Sequence, residues 1–145
     1  MTEPLLEWND KFLIGIDQLD FEHKDLLDRL NGLHAALSDA TDKEKVSQCL
    51  GGIYARLEIH FALEERVMRE GDYKDFDTHQ GEHAKLLNEF ADLMHELEDK
   101  KDIEYSAAVR EALRHWLLDH IMTSDKKMAV LVADMPRKLV TKLVG

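Results

Sequence analysis

The chain has 145 residues at 16.8 kDa, the size of one ordinary domain, and its 44% hydrophobic content is enough to bury a core. Thirty acidic residues against 19 basic ones leave a formal charge of −11, a field that repels phosphate backbones and anionic lipid, so neither nucleic acid nor membrane is expected as a partner. Seven Gly and two Pro are too few for the turns of a β-sandwich or barrel, and the lone Cys49 excludes an internal disulfide and a cysteine-based metal site. Any metal must therefore sit on nitrogen and oxygen ligands. The first residues lack a basic stretch followed by an apolar one, and no run approaches the roughly 18 apolar residues of a membrane span, so a cytoplasmic location is the expectation.

In chain order, residues 1–19 mix Trp8, Phe12, Leu13, Ile14 and Ile16 with Pro4 and Gly15 and read as an extended arm over the fold. Asp20 is the expected N-cap of a first helix reaching about Ser38, with Leu26, Leu27, Leu30, Leu33 and Leu37 on one stripe. Thr41-Asp-Lys-Glu44 is a capping box for a second helix, whose stripe of Val46, Leu50, Ile53, Leu57 and Val67 runs until Gly71. Gly51-Gly52 weaken its middle by about 2 kcal/mol in propensity, which a tight helix crossing there would offset. Asp77 with Gln80 caps a third helix carrying Leu86, Phe90, Leu93 and Leu97 and ending near Lys100-Lys101. A fourth starts between Ile103 and Ser106 and carries Val109, Leu113, Trp116 and Leu117, with Thr123-Ser124 as a weak point.

Four amphipathic helices on short connections predict an all-α, antiparallel up-down-up-down four-helix bundle. Residues 1–125 form this bundle with its arm, and residues 126–145 a helical extension of the same domain. That extension is basic through Lys126, Lys127, Arg137, Lys138 and Lys142, and Pro136 divides it. It serves either as a cap packed on the bundle or as a docking segment for a protein partner.

Each stripe also reaches residues foreign to an apolar core. Stepping back from Leu26 lands on His23, and the second stripe passes through His60 and Glu64. The third begins with His79 and His83, and the fourth arrives at His120. In an antiparallel bundle all of these lie at one end, within a layer about two turns thick. Unpartnered burial of so many polar groups would cost several kcal/mol each, and metal is the compensation. His60 with Glu64 and His79 with His83 each place two ligands one turn apart, within bite of one metal or two adjacent ones. Asp125 follows His120 by five residues and joins the layer only if the helix is bulged or frayed near Thr123-Ser124.

Five imidazoles and two carboxylates exceed what one ion takes. With both carboxylates and a solvent oxygen bridging, a pair of six-coordinate ions keeps about one position open, which suits a small exogenous ligand and iron or manganese. Outside the layer, His34 reads as a hydrogen-bonded core residue, His95 as solvated, and His115 as lacking a partner at ligand spacing. Glu65 reads as a support to the ligands or a surface residue, and Cys49 as a small buried hydrophobe.

The stretches from Ile16 to His23, His60-Phe-Ala-Leu-Glu64-Glu, His79-Gln-Gly-Glu-His83 and Trp116 to Asp125 resemble the motifs of the haemerythrin family in order and spacing. The resemblance implies two iron ions in a non-haem, oxo- or hydroxo-bridged di-iron centre. His79, His83 and His120 would bind one iron, His23 and His60 the other, and Glu64 and Asp125 both. It implies reversible O2 binding at the open position of the two-histidine iron, with NO or small anions as possible competitors. Leu26, Phe61, Leu86, Trp116 and Met122 would wall the O2 pocket while serving as ordinary core. The expected role is oxygen transport, storage or delivery rather than catalysis. The alternatives are a sensor of O2, NO or redox state signalling through the tail, and a slow di-iron oxidase or peroxidase. The chain contains no Glu-x-x-His, the motif that ferritin-like di-iron oxygenases pair with further glutamates.

Overall fold

The stripes of leucine, isoleucine and phenylalanine are too apolar to face water and too narrow to bury themselves, so each helix covers its neighbour's. The computed structural model describes residues 4–38, 43–99 and 107–133. The bundle helices are α1 (Asp17–Ser38), α2 (Lys43–Glu70), α3 (Phe76–Asp99) and α4 (Ala107–His120), each packed on the next in an up-down-up-down bundle. A π turn, Ile121–Asp125, joins α4 to α5 (Lys126–Ala133). Among the described residues no helix is long and apolar enough to cross a membrane. Thr41, Lys100-Lys101, Ile103–Ser106 and Pro136, where caps, ends and a break are expected, lie outside the described residues.

The arm closes the bundle. Leu5 and Leu6 enter the core, Asn31 of α1 exchanges two hydrogen bonds with the Leu6 backbone, and Arg114 of α4 donates to the Leu5 carbonyl. The arm ends earlier than expected, at Ile16, and Asp20 is not the N-cap. It sits in the first turn of α1, its carboxylate reaching back to accept from the amides of Ile14 (2.7 Å) and Gly15 (3.2 Å). The acid thus marks the helix start from inside, as the third-position residue of a capping box does. Likewise α3 begins at Phe76, leaving Asp77 in its first turn.

The second helix stops where expected, by another residue. Asp72, at φ 55°, takes the left-handed position, while Tyr73 N donates to Met68 O and Asp72 N to Arg69 O, a Schellman closure. The tight crossing expected at Gly51-Gly52 is absent. A Cβ on Gly51 would meet nothing within 4 Å, and one on Gly52 only the flexible end of Arg29.

Two apolar clusters flank the layer of polar residues. The larger contains Leu26, Leu30, Leu33, Leu50, Ile53, Leu57, Phe61, Phe90 and Leu117. The smaller, at the arm end, contains Ile14, Ile16, Leu19, Val67, Met68 and Met128. Cys49 packs half-buried against the larger one.

Candidate metal centre

His23, His60, Glu64, His79, His83, His120 and Asp125 are all buried, and their donor atoms fall into two overlapping groups. One group is His23, His60, Glu64 and Asp125; the other is Glu64, His79, His83, His120 and Asp125, and within each the donor atoms lie within 4.8 Å of one another. Glu64 and Asp125 belong to both.

Each carboxylate turns one oxygen to each group. Glu64 Oε2 lies 2.9 Å from His60 Nε2 and 3.3 Å from His23 Nε2, while Oε1 lies 3.0 Å from His83 Nε2 and 3.5 Å from His79 Nε2. Asp125 Oδ2 lies 3.1 Å from His23 Nε2, while Oδ1 lies 3.0 Å from both His79 Nε2 and His120 Nε2. The π turn brings Asp125 there, since five residues of regular helix would rotate it off the face of His120.

Three imidazoles are oriented from behind. His60 Nδ1 donates to Glu22 (2.6 Å), His83 Nδ1 to Glu65 (3.1 Å) and His120 Nδ1 to Glu82 (3.0 Å). With Nδ1 engaged as a donor, the neutral ring offers its Nε2 lone pair inward, the form in which histidine binds metal. Of these three acids only Glu65 is expected from the sequence; Glu22 and Glu82 are not. The available signal was adjacency: these acids immediately precede His23 and His83, and a side chain one residue away points about 100° aside, toward the next helix.

Burial opposes the charge on His60, but the negative Glu64 and the bonds to Glu22 and Glu64 lift it to about 10. His79 rises to about 9 against burial, through Asp125 and Glu64, and His23 rises through the same two acids. Burial likewise disfavours the Glu64 carboxylate, yet His60, His23 and His79 hold it well below the ordinary range. Burial and the charge of Glu64 both oppose ionisation of Asp125, but bonds from His120, His23 and His79 depress it. Without a cation, the layer is held by protons shared between buried imidazoles and carboxylates.

The donor set fits a metal better than it fits itself. His60 Nε2, His120 Nε2 and Asp125 Oδ2 are buried at ion-pair distance from an opposite group but at angles that make no full hydrogen bond, a cost that a cation between them would relieve. Oxygen and nitrogen donors with shared carboxylates suit iron or manganese.

Of the residues expected to wall a pocket, Phe61 stacks on His83 with ring centroids 4.0 Å apart. Leu26 and Leu86 are buried in the larger cluster, and Met122 is half-buried in the π turn. Leu86 and Trp116 line an open cavity of about 660 Å³ between α3 and α4 that also reaches His120. His34 is buried in another layer and His95 is exposed. His115, expected to lack a partner at ligand spacing, lies on the surface 3.7 Å from Glu111 and 3.6 Å from Asp119, each four residues away.

Comparison with known proteins gives a consistent result. Residues 14–132 match the family model described as "Hemerythrin HHE cation binding domain". The chain is 30% identical to the "Bacteriohemerythrin" of Stenotrophomonas maltophilia, over 86% of this chain and 80% of that protein. It is 28% identical to the "Myohemerythrin" of Theromyzon tessulatum, over 83% and 88% respectively. A crystal structure of wild-type hemerythrin superposes with a TM-score of 0.79 at 27% identity, covering 89% of this chain and 98% of that one.

Proposed function

Because the chain belongs to the haemerythrin family, we propose that it binds O2 reversibly at two iron ions held by the buried layer, for transport, storage or delivery of oxygen. His79, His83 and His120 would hold one ion and His23 and His60 the other, with Glu64 and Asp125 common to both donor groups. The observation that carries this reading is the division of each carboxylate's oxygens between the two groups of imidazoles. A carboxylate serving a single ion has no need to face two ways.

Iron, when bound, supplies the two electrons that O2 takes up. The chain's own residues do the rest. Glu22, Glu65 and Glu82 fix the tautomer and direction of His60, His83 and His120. Phe61, with Leu26, Leu86, Trp116 and Met122, keeps the surroundings apolar, which disfavours loss of reduced oxygen to water. The cavity between α3 and α4 opens on His120, on the side of the three-histidine ion rather than beside His23 and His60. NO and small anions would compete with O2 for the same ion.

The test is metal analysis with visible spectra of aerobic, reduced and reoxygenated protein. About two irons per chain are expected, with charge-transfer bands that vanish on reduction and return with O2, and His83→Ala should remove the bands. Steady-state peroxide turnover far above the autoxidation rate would instead make the protein an enzyme.

A further inference from the structure

Five residues of regular α-helix turn through about 500°, which would leave His120 and Asp125 about 140° apart. They nevertheless meet, with His120 Nε2 3.0 Å from Asp125 Oδ1, because the chain winds as a π turn from Ile121 to Asp125. Such turns are rare, and locally unusual backbone persists where surrounding contacts hold it. The contacts here are specific. Glu82 reaches across from α3, and its Oε2 accepts from both His120 Nδ1 (3.0 Å) and Ser124 Oγ. One oxygen thereby ties the residue preceding the π turn to the residue beside Asp125. Thr123 Oγ1 donates to the Asp119 carbonyl (2.7 Å), and the arm's turn Asp10–Phe12 packs against the same segment.

Glu82 belongs to neither donor group, and its side chain is 41% exposed, so it is not placed as a ligand. We propose that Glu82 is a positioning residue: by clasping His120 and Ser124 through one shared oxygen, it holds the π register that sets Asp125 beside His120. Resting on the metal-binding reading above, this makes a residue of α3 responsible for the bridging geometry of a ligand on another helix. The clasp acts on the backbone of residues 121–125 before any metal arrives. That gives it a signature a ligand would lack.

The experiment measures amide hydrogen exchange in the metal-free, full-length protein, with α2 amides as internal reference, alongside anaerobic Fe(II) titration. Glu82→Ala should speed exchange across Ile121–Asp125 about tenfold or more with α2 unchanged, and weaken Fe(II) binding about 10–100-fold. Ser124→Ala should move both in the same direction, by less. Glu82→Gln keeps an oxygen able to accept from both donors and should exchange as the unmodified protein does. If Glu82→Ala is poorly folded, the Ser124→Ala and Glu82→Gln pair decides. Exchange within about twofold of wild type in Glu82→Ala and Ser124→Ala would overturn the clasp, as would Glu82→Gln behaving like Glu82→Ala. Should the exchange pattern appear in a protein that binds no iron, the clasp stands and the oxygen-binding reading falls. Iron binding with unmoved exchange removes the clasp and leaves the oxygen-binding reading in place.

Discussion

The apolar cluster around Leu30, Leu50 and Leu57 and the polar layer beside it are built from the same helical stripes, yet they obey different rules. In the cluster each side chain needs only neighbours of the right volume, and the attraction has no direction. In the layer each atom needs one particular partner: Glu64 Oε2 faces His60 and His23, and Oε1 faces His83 and His79. Exchanging leucines disturbs packing locally, whereas losing a shared carboxylate strands donors from several helices at once. Stability should therefore reside in the cluster and metal binding in the layer, with little overlap.

The largest expected effect tests that separation directly. Glu64→Ala removes a carboxylate common to both donor groups, and elemental analysis should find essentially no iron retained. Retention of both irons would dissolve the distinction.

Next in size is the response to pH. His60 and His79 are raised to about 10 and about 9 without metal, so a cation must displace their protons. If both protons leave, apparent Fe(II) affinity should rise about a hundredfold per pH unit up to about pH 9 and level off above 10, readable as proton release in calorimetry at two pH values. The metal-free fold should respond with the opposite sign. The raised histidines stabilise it fully below their ordinary value of 6.5, and that contribution fades as pH climbs through about 9 to 10. The depressed Glu64 and Asp125 stabilise it above their ordinary values of 4.5 and 3.8, and that contribution is lost in acid as they protonate. Urea midpoints of metal-free protein should accordingly peak between roughly pH 4.5 and 6.5. A profile rising steadily to pH 9 would contradict these shifts.

A cut in the cluster should do the converse of the Glu64 change. Leu50→Ala, at a fully buried site about 15 Å along α2 from His60, should lower unfolding free energy by about 2–5 kcal/mol while leaving iron stoichiometry intact. The smallest effect lies outside both regions. Asp72→Gly relieves the left-handed residue closing α2 and should raise the melting temperature by a few degrees, about 1 kcal/mol, with unchanged spectra.

Much of this was legible in advance because helical periodicity reports which residues face inward. His23, His60, Glu64, His79, His83 and His120 stood on the stripes, and the antiparallel arrangement placed them at one height. Helix starts were read less well. Asp20 and Asp77 resembled caps, but an acid that reaches back from the first turn leaves much the same local pattern as one that precedes it. Glu22 and Glu82 were passed over because they point away from their own helix's stripe and serve an imidazole on a neighbour.

The order of apolar and polar residues by itself determined that the chain forms amphipathic helices and that histidines and carboxylates must be buried together, since both follow from the angle between successive side chains on one rod. Which oxygen faces which imidazole, how the rings are oriented from behind, and how Asp125 reaches a face that regular winding denies it were decided only by packing rod against rod. Those are relations between residues far apart in the chain, and directional contacts of that kind leave no periodic trace along it.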